Sequence, residues 1–175
     1  MKIFTRISVL LLMIISVASC DDLDELTEFD ITEDFSATFT IDVAEGEALT
    51  FAQTSSINLA SNQEIQDNLD LLQDVTLNSL TYEINNFVGV DGATITEASL
   101  NFSGTTIAVG EINLQESDTN NTVYSVGDPA QLNAIANELE NNTEITATVT
   151  GTVNAAPVQF DVIVTLDVTV TVDVL

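Results

Sequence analysis

Residues 35–43 alternate strictly, with Phe35, Ala37, Phe39, Ile41 and Val43 on one side and Ser36, Thr38, Thr40 and Asp42 on the other. A period of two marks a strand with one face in a core and one in water. The turn chemistry of Ala44-Glu45-Gly46-Glu47 leads into a second strand over 48–54. Further strands are predicted over 75–88, 94–103, 105–115 and 122–126, separated by the Gly, Asp and Asn residues of 89–92, by Gly104 and by 116–121. The chain closes with a strand carrying Ile145, Ala147, Val149 and Val153, then with a much longer alternation. There Val158, Phe160, Val162, Val164, Leu166, Val168, Val170, Val172 and Val174 share a face against Gln159, Asp161, Thr165, Asp167, Thr169, Thr171 and Asp173, with Ile163 the one apolar exception. At ~3.3 Å per residue this strand would run about 55 Å, several times the common length. It is expected to bend and to serve two sheets.

Two stretches change period. Ser61 with Glu64 reads as a capping box ahead of Ile65, Leu69 and Leu72, and Asp128, Pro129 and Gln131 open a second helix carrying Leu132, Ile135, Ala136 and Leu139. Both apolar stripes have helical spacing and are expected to pack on the core. The predicted fold class is all-β: an antiparallel two-layer β-sandwich with two short peripheral α-helices, formed as a single domain over 34–175.

The N-terminal segment is of another kind. Lys2 and Arg6 precede an apolar run over 7–17, which ends in Ala18-Ser19-Cys20 and then Asp21-Asp22. These are the three parts of a secretory leader, over 1–19, and the run is shorter than the ~20 residues a spanning helix needs. Val17-Ala18-Ser19-Cys20 resembles the lipobox of bacterial lipoproteins. The resemblance implies that Cys20 becomes the first residue of the mature chain and carries diacylglycerol, a two-chain anchor of the strength that one chain does not reach. A leader that leaves an idle thiol and an uncleaved anchor are the plainer alternatives. Cys20 is the sole cysteine, so no disulfide staples the fold.

After it comes DDLDELTEFDITED, with eight acids over 21–34. Like charges in a block repel and extend, so 20–33 is expected to be a lipidated acidic tether. Asp21, Asp22, Asp24 and Glu25 resemble the acidic export signal of surface lipoproteins in Bacteroidota, which implies an outer-membrane address facing outward. In an enterobacterial lipoprotein, an aspartate at that position implies retention in the inner membrane instead. The stretch Leu80-Thr81-Tyr82-Glu83-Ile84-Asn85-Asn86-Phe87, the helix around Leu132-Asn133-Ala134-Ile135-Ala136, and the Thr/Val/Asp-rich last strand look like a group of uncharacterised flavobacterial lipoproteins. That resemblance spans nearly the whole chain and implies fold and address, with no activity attached.

Charge then narrows the chemistry. Beyond Arg6 there is no lysine, arginine or histidine, and all 28 acids follow Cys20. Activated nucleophiles, zinc sites, phosphate-binding loops and cationic phosphate clamps all lack their residues, and nucleic acid is excluded as a partner. Carboxylate chemistry survives, so a glycan hydrolase using paired acids is the enzymatic alternative to a non-enzymatic binding or structural module. Tryptophan is absent, which leaves Tyr82 and Tyr124 as the only phenolic platforms for a sugar. No cofactor is expected unless it is calcium, which takes oxygen ligands alone; a calcium-dependent adhesion module is the corresponding variant. The calcium candidates are Asp67, Asp70 and Asp74 as a ridge on the first helix, and Glu116, Asp118, Asn120 and Asn121 in a turn. A solvated face is the plainer reading of both. The expected partners are a membrane, through the anchor, and an envelope or extracellular protein or polymer.

Overall fold

The computed structural model describes residues 28–173. In chain order, β1 (Glu28–Val43) and β2 (Thr50–Asn58) lead through a 3-10 turn to α1 (Gln63–Asp67), followed by β3 (Leu72–Gly89), β4 (Thr94–Ile95), β5 (Ala98–Phe102), β6 (Thr105–Val109) and β7 (Ile112–Asn113). Then come α2 (Leu114–Asn120), β8 (Val123–Val126), α3 (Pro129–Asn142), β9 (Glu144–Thr152) and β10 (Val158–Asp173). One sheet has the order β1-β10-β3-β8 and the other β2-β9-β5-β6, with β4 and β7 as a small third pair. All named pairings are antiparallel. The fold is thus an all-β antiparallel sandwich.

The period-two face predicted for β10 is the floor of the core. Val158, Phe160, Val162, Val164, Leu166, Val168, Val170 and Val172 are all buried, flanked by Phe35, Phe39 and Ile41 of β1 and by Leu80, Tyr82 and Ile84 of β3. The facing sheet supplies Ile57, Leu100, Phe102, Ile107, Ile145 and Val149 to the same contiguous core. Phe51 of β2 crosses the layers, its ring edge-on to Phe160 with centroids 5.7 Å apart. It lies over Gly151, its cross-strand partner, where a Cβ would come within 2.5 Å of the Phe51 ring.

Helices close one side of the sandwich. α3 packs on β3, β6 and β9, and α2 on β3 and β7. α3 starts as predicted, with the Asp128 side chain accepting from the Ala130 N–H and proline at the first turn. The other helix start differs: the cap is Asn62, whose Oδ1 accepts from the N–H groups of Glu64 and Ile65, and not Ser61. Ser61 instead donates its hydroxyl to the Asn58 carbonyl. No helix among the described residues is long and apolar enough to cross a membrane.

Four further expectations are corrected. The long last strand does not serve two sheets: β10 pairs with β1 and β3 throughout, so it is the centre of one sheet. Residues 28–33, expected in the tether, are the start of β1, paired from Glu28↔Asp173 onward. Ile31 is buried in that stretch because Val170 and Val172 extend the inner face beside it. Residues 94–103 break into β4 and β5, and 105–115 into β6, β7 and the start of a helix. That helix, α2, makes three α-helices among the described residues where two were expected. Asn113 caps it through the Glu116 N–H, and Asn121 ends it in the left-handed region at φ 48°. The Asn113-x-x-Glu116 spacing carried that signal, but the short apolar run before it reads equally well as strand.

Candidate functional site

The outer face of the β1-β10-β3 sheet carries hydroxyls, amides and carboxylates, with Ile163 the apolar exception on β10. Alternation puts Thr32, Ser36 and Thr40 of β1 beside Thr169, Thr165 and Asp161 of β10. The hydroxyls pair across the strands, Thr32 with Thr169 at 2.9 Å and Ser36 with Thr165 at 2.9 Å. Where a carboxylate stands, a neighbour donates to it: Thr40 to Asp161 at 2.7 Å, and Thr171 to Asp30 at 2.7 Å.

β3 completes the face through its irregularities. Its register to β10 shifts between Asp167 and Val168, which lets Asn78 donate from one amide to Asp167 at 3.0 Å and to Thr169 at 2.9 Å. A second shift accompanies Asn86, at φ 58°, whose amide reaches Asp161 at 2.8 Å. Neutral side chains thus supply the donors to the carboxylates of this face. Sequence reading left both asparagines inside an ordinary strand. The available signal was the Asn85-Asn86 pair, since asparagine tolerates the left-handed region that a bulge needs.

No cation exists between Glu28 and Asp173, so no side-chain ion pair opposes self-repulsion among the carboxylates, which leaves it sensitive to screening. The screening length falls from about 8 Å at physiological salt to about 3 Å at 1 M. The thermal midpoint is expected to rise by about 2–4 °C between low-salt buffer and molar sodium chloride, on the order of 1 kcal/mol for a domain of this size. A flat melting temperature across that range would contradict it.

Two concavities flank this face. One, of about 460 Å³, opens where β1 and β2 run side by side, with Glu33 and Asp34 on one wall and Ser56, Asn58, Ser61 and Asn62 on the other. Glu33 is opposite Val168, which is fully buried, so it occupies an inward-facing register position while remaining exposed. The other, of about 430 Å³, lies by α2, with Glu111, Asn113, Glu116 and Tyr124 among its lining. The Tyr124 ring is stacked on Tyr82 at 5.0 Å, and its hydroxyl donates to Ser117 at 3.2 Å. Burial, and secondarily the facing Tyr124, push the Tyr82 phenol above its ordinary pKa. Tyr82 therefore remains a neutral phenol in neutral water. Glu111 and Glu116 are exposed. Among the described residues Ser117 is the one buried polar residue, and no carboxylate is buried.

Cys20, Asp21, Asp22, Asp24 and Glu25 lie outside the described residues. The two calcium candidates are not assembled. Asp67 ends α1, Asp70 sits in a 3-10 turn and Asp74 belongs to β3, so they form no helical ridge. The helix stops at Asn68, whose side chain bonds back to the Glu64 carbonyl, and Asp67 and Asp74 accept from Gln63 and Thr76. Glu116, Asp118 and Asn120 are on α2 rather than in a turn, and Asn121 is its cap. Among the described residues, no three Asp, Glu, His or Cys side chains form a group able to hold a metal.

No family model and no curated protein matches this chain. Among solved structures, it is similar to a BFDV capsid protein in decameric form, with TM-score 0.40 and 9% identity over 81% of this chain and 99% of that one. Turnip Yellow Mosaic Virus gives 0.36 and 11%, over 85% of this chain and 96% of that one. Tobacco necrosis virus gives 0.34 and 11%, over 83% and 96%. Likeness at this level bears on neither activity nor partners.

Proposed function

We propose that the chain is a lipoprotein anchored in the outer membrane through Cys20 and displayed at the cell surface, where its acidic sandwich serves as a non-enzymatic binding or structural module. The observation that supports a surface over a reaction centre is the placement of charge. Every carboxylate among the described residues retains contact with water, whereas acid catalysis at paired carboxylates depends on one whose proton is held by a dry environment. The anchor rests on the Val17-Ala18-Ser19-Cys20 segment, and the outward address on the acids that follow it. The partner in this reading is another envelope or extracellular protein or polymer.

Proteolysis of intact cells tests the display. Trypsin has no site beyond Arg6, so a protease of broad specificity is required. The expected result is loss of the protein from intact cells while a periplasmic marker survives. Protection until the outer membrane is broken would overturn surface display.

A further inference from the structure

The two sides of the sandwich are unequal. On one, the edge strands are short, four residues in β8 and five in β6, and helices pack beside them. On the other, β1 is 16 residues long and hydrogen-bonds to β10 on one flank and to no strand among the described residues on its second, beside which β2 of the facing sheet runs. Its register to β10 runs from Glu28 to Val43 without a shift, and it contains neither proline nor glycine. A long, regular edge with no hydrogen-bonded neighbour presents backbone N–H and C=O groups in the spacing that an added strand needs.

Charge selects among the strands that could be added. Glu28, Asp30, Glu33, Asp34 and Asp42 punctuate this edge, and a second copy would lay the same acids against them. Like charges directly opposite destabilise a strand pair, and opposite charges stabilise it. Glu33 sharpens the choice, because a new strand would cover a carboxylate already on the inward register. Such burial is tolerated only beside a cation. The slot next to it, with Glu33 and Asp34 on one wall and the polar atoms of Ser56, Asn58, Ser61 and Asn62 on the other, has room for a long basic side chain.

We propose that the open edge of β1 accepts an extended, lysine- or arginine-bearing segment of another polypeptide as a fifth strand of its sheet, with a basic side chain seated in the slot beside Glu33. The proposal deepens the display reading above by giving the module a partner chemistry.

The test uses the full chain in detergent solution and three synthetic peptides. One has lysine at alternate positions between threonine and valine, the second glutamate in place of lysine, and the third is the lysine peptide N-methylated at alternate residues. The lysine peptide is expected to bind and to slow amide exchange within residues 28–43, while the other two bind at least about tenfold more weakly. The paired charge reversal Glu33→Lys with Asp34→Lys is expected to weaken the lysine peptide by about tenfold and to strengthen the glutamate peptide. That second arm is informative because both residues are exposed and a folded variant gains an affinity as well as losing one. Equal binding of the N-methylated peptide would reduce the interaction to charge adsorption and overturn the proposal. Protection outside β1, or association of the chain with itself through β1, would also overturn it. Display on cells stands or falls by proteolysis, so failure of the peptide to bind leaves that reading intact, and a protein found inside the cell would sink it independently.

Discussion

Cys20→Ala is expected to move the protein from the membrane fraction to the soluble fraction almost completely. On the proposed reading, all membrane affinity comes from acyl chains on that residue. Each buried methylene contributes about 0.8 kcal/mol, so two chains amount to an anchor that is effectively permanent on the timescale of fractionation. The described residues contain no helix long and apolar enough to span a membrane, and a body whose acids have no cationic counterpart is repelled by anionic headgroups. Fractionation with a carbonate wash, together with mass spectrometry of the N-terminal peptide, checks both halves. A variant that stays membrane-bound would show that the anchor lies elsewhere.

Phe160→Ala is expected to destabilise the domain by about 3–5 kcal/mol, a large share of the 5–15 kcal/mol that usually holds a domain together. The ring is fully buried on the central strand and is met edge-on by Phe51 from the opposite sheet. Phe51 has little freedom to follow a retreating neighbour, because it is already closed down on Gly151. The cavity therefore stays open instead of collapsing, which is the condition for the upper part of that range. Phe29→Ala is the matched control. The same side chain near the exposed start of β1, 37% accessible, is expected to cost less than about 1 kcal/mol. Urea midpoints for the two variants at constant slope give the comparison. Similar losses at both positions would mean that Phe160 is not at the centre of the core.

The two largest expected effects come from parts of the chain that differ in legibility. The proposed lipid attachment at Cys20 rests on a local signal, a few residues read together. The weight of Phe160 is half visible. Alternation places it on the buried face, but the opposing Phe51 and the glycine that seats Phe51 are contacts between segments far apart in sequence.

The candidate surface divides in the same way. The inward and outward faces of β1 and β10 follow from alternation, and so does the hydroxyl and carboxylate character of the outer face. Period two specifies a face and is silent about neighbours. A strand at the centre of a sheet and a strand at its edge carry the same pattern, so the open flank of β1 was not readable. Asp67, Asp70 and Asp74 failed for a related reason: their spacing is helical, but five residues of helix give too few bonds to carry the geometry past Asn68.

Local rules were therefore sufficient wherever a residue's role depends on its immediate neighbours: which side chains turn inward along a strand, and where Asp128 and Pro129 begin a helix. Pairing required the folded chain. Residues 28–33 look like solvated linker, yet they join a sheet because Val168 to Val172, more than a hundred residues away, provide the ladder and the apolar floor on which Ile31 rests. The same pairing centres β10, bulges β3 so that Asn78 and Asn86 reach their aspartates, and leaves one side of β1 open. Backbone hydrogen bonds across a sheet join residues by position in space, and nothing in the identity of either partner announces the other.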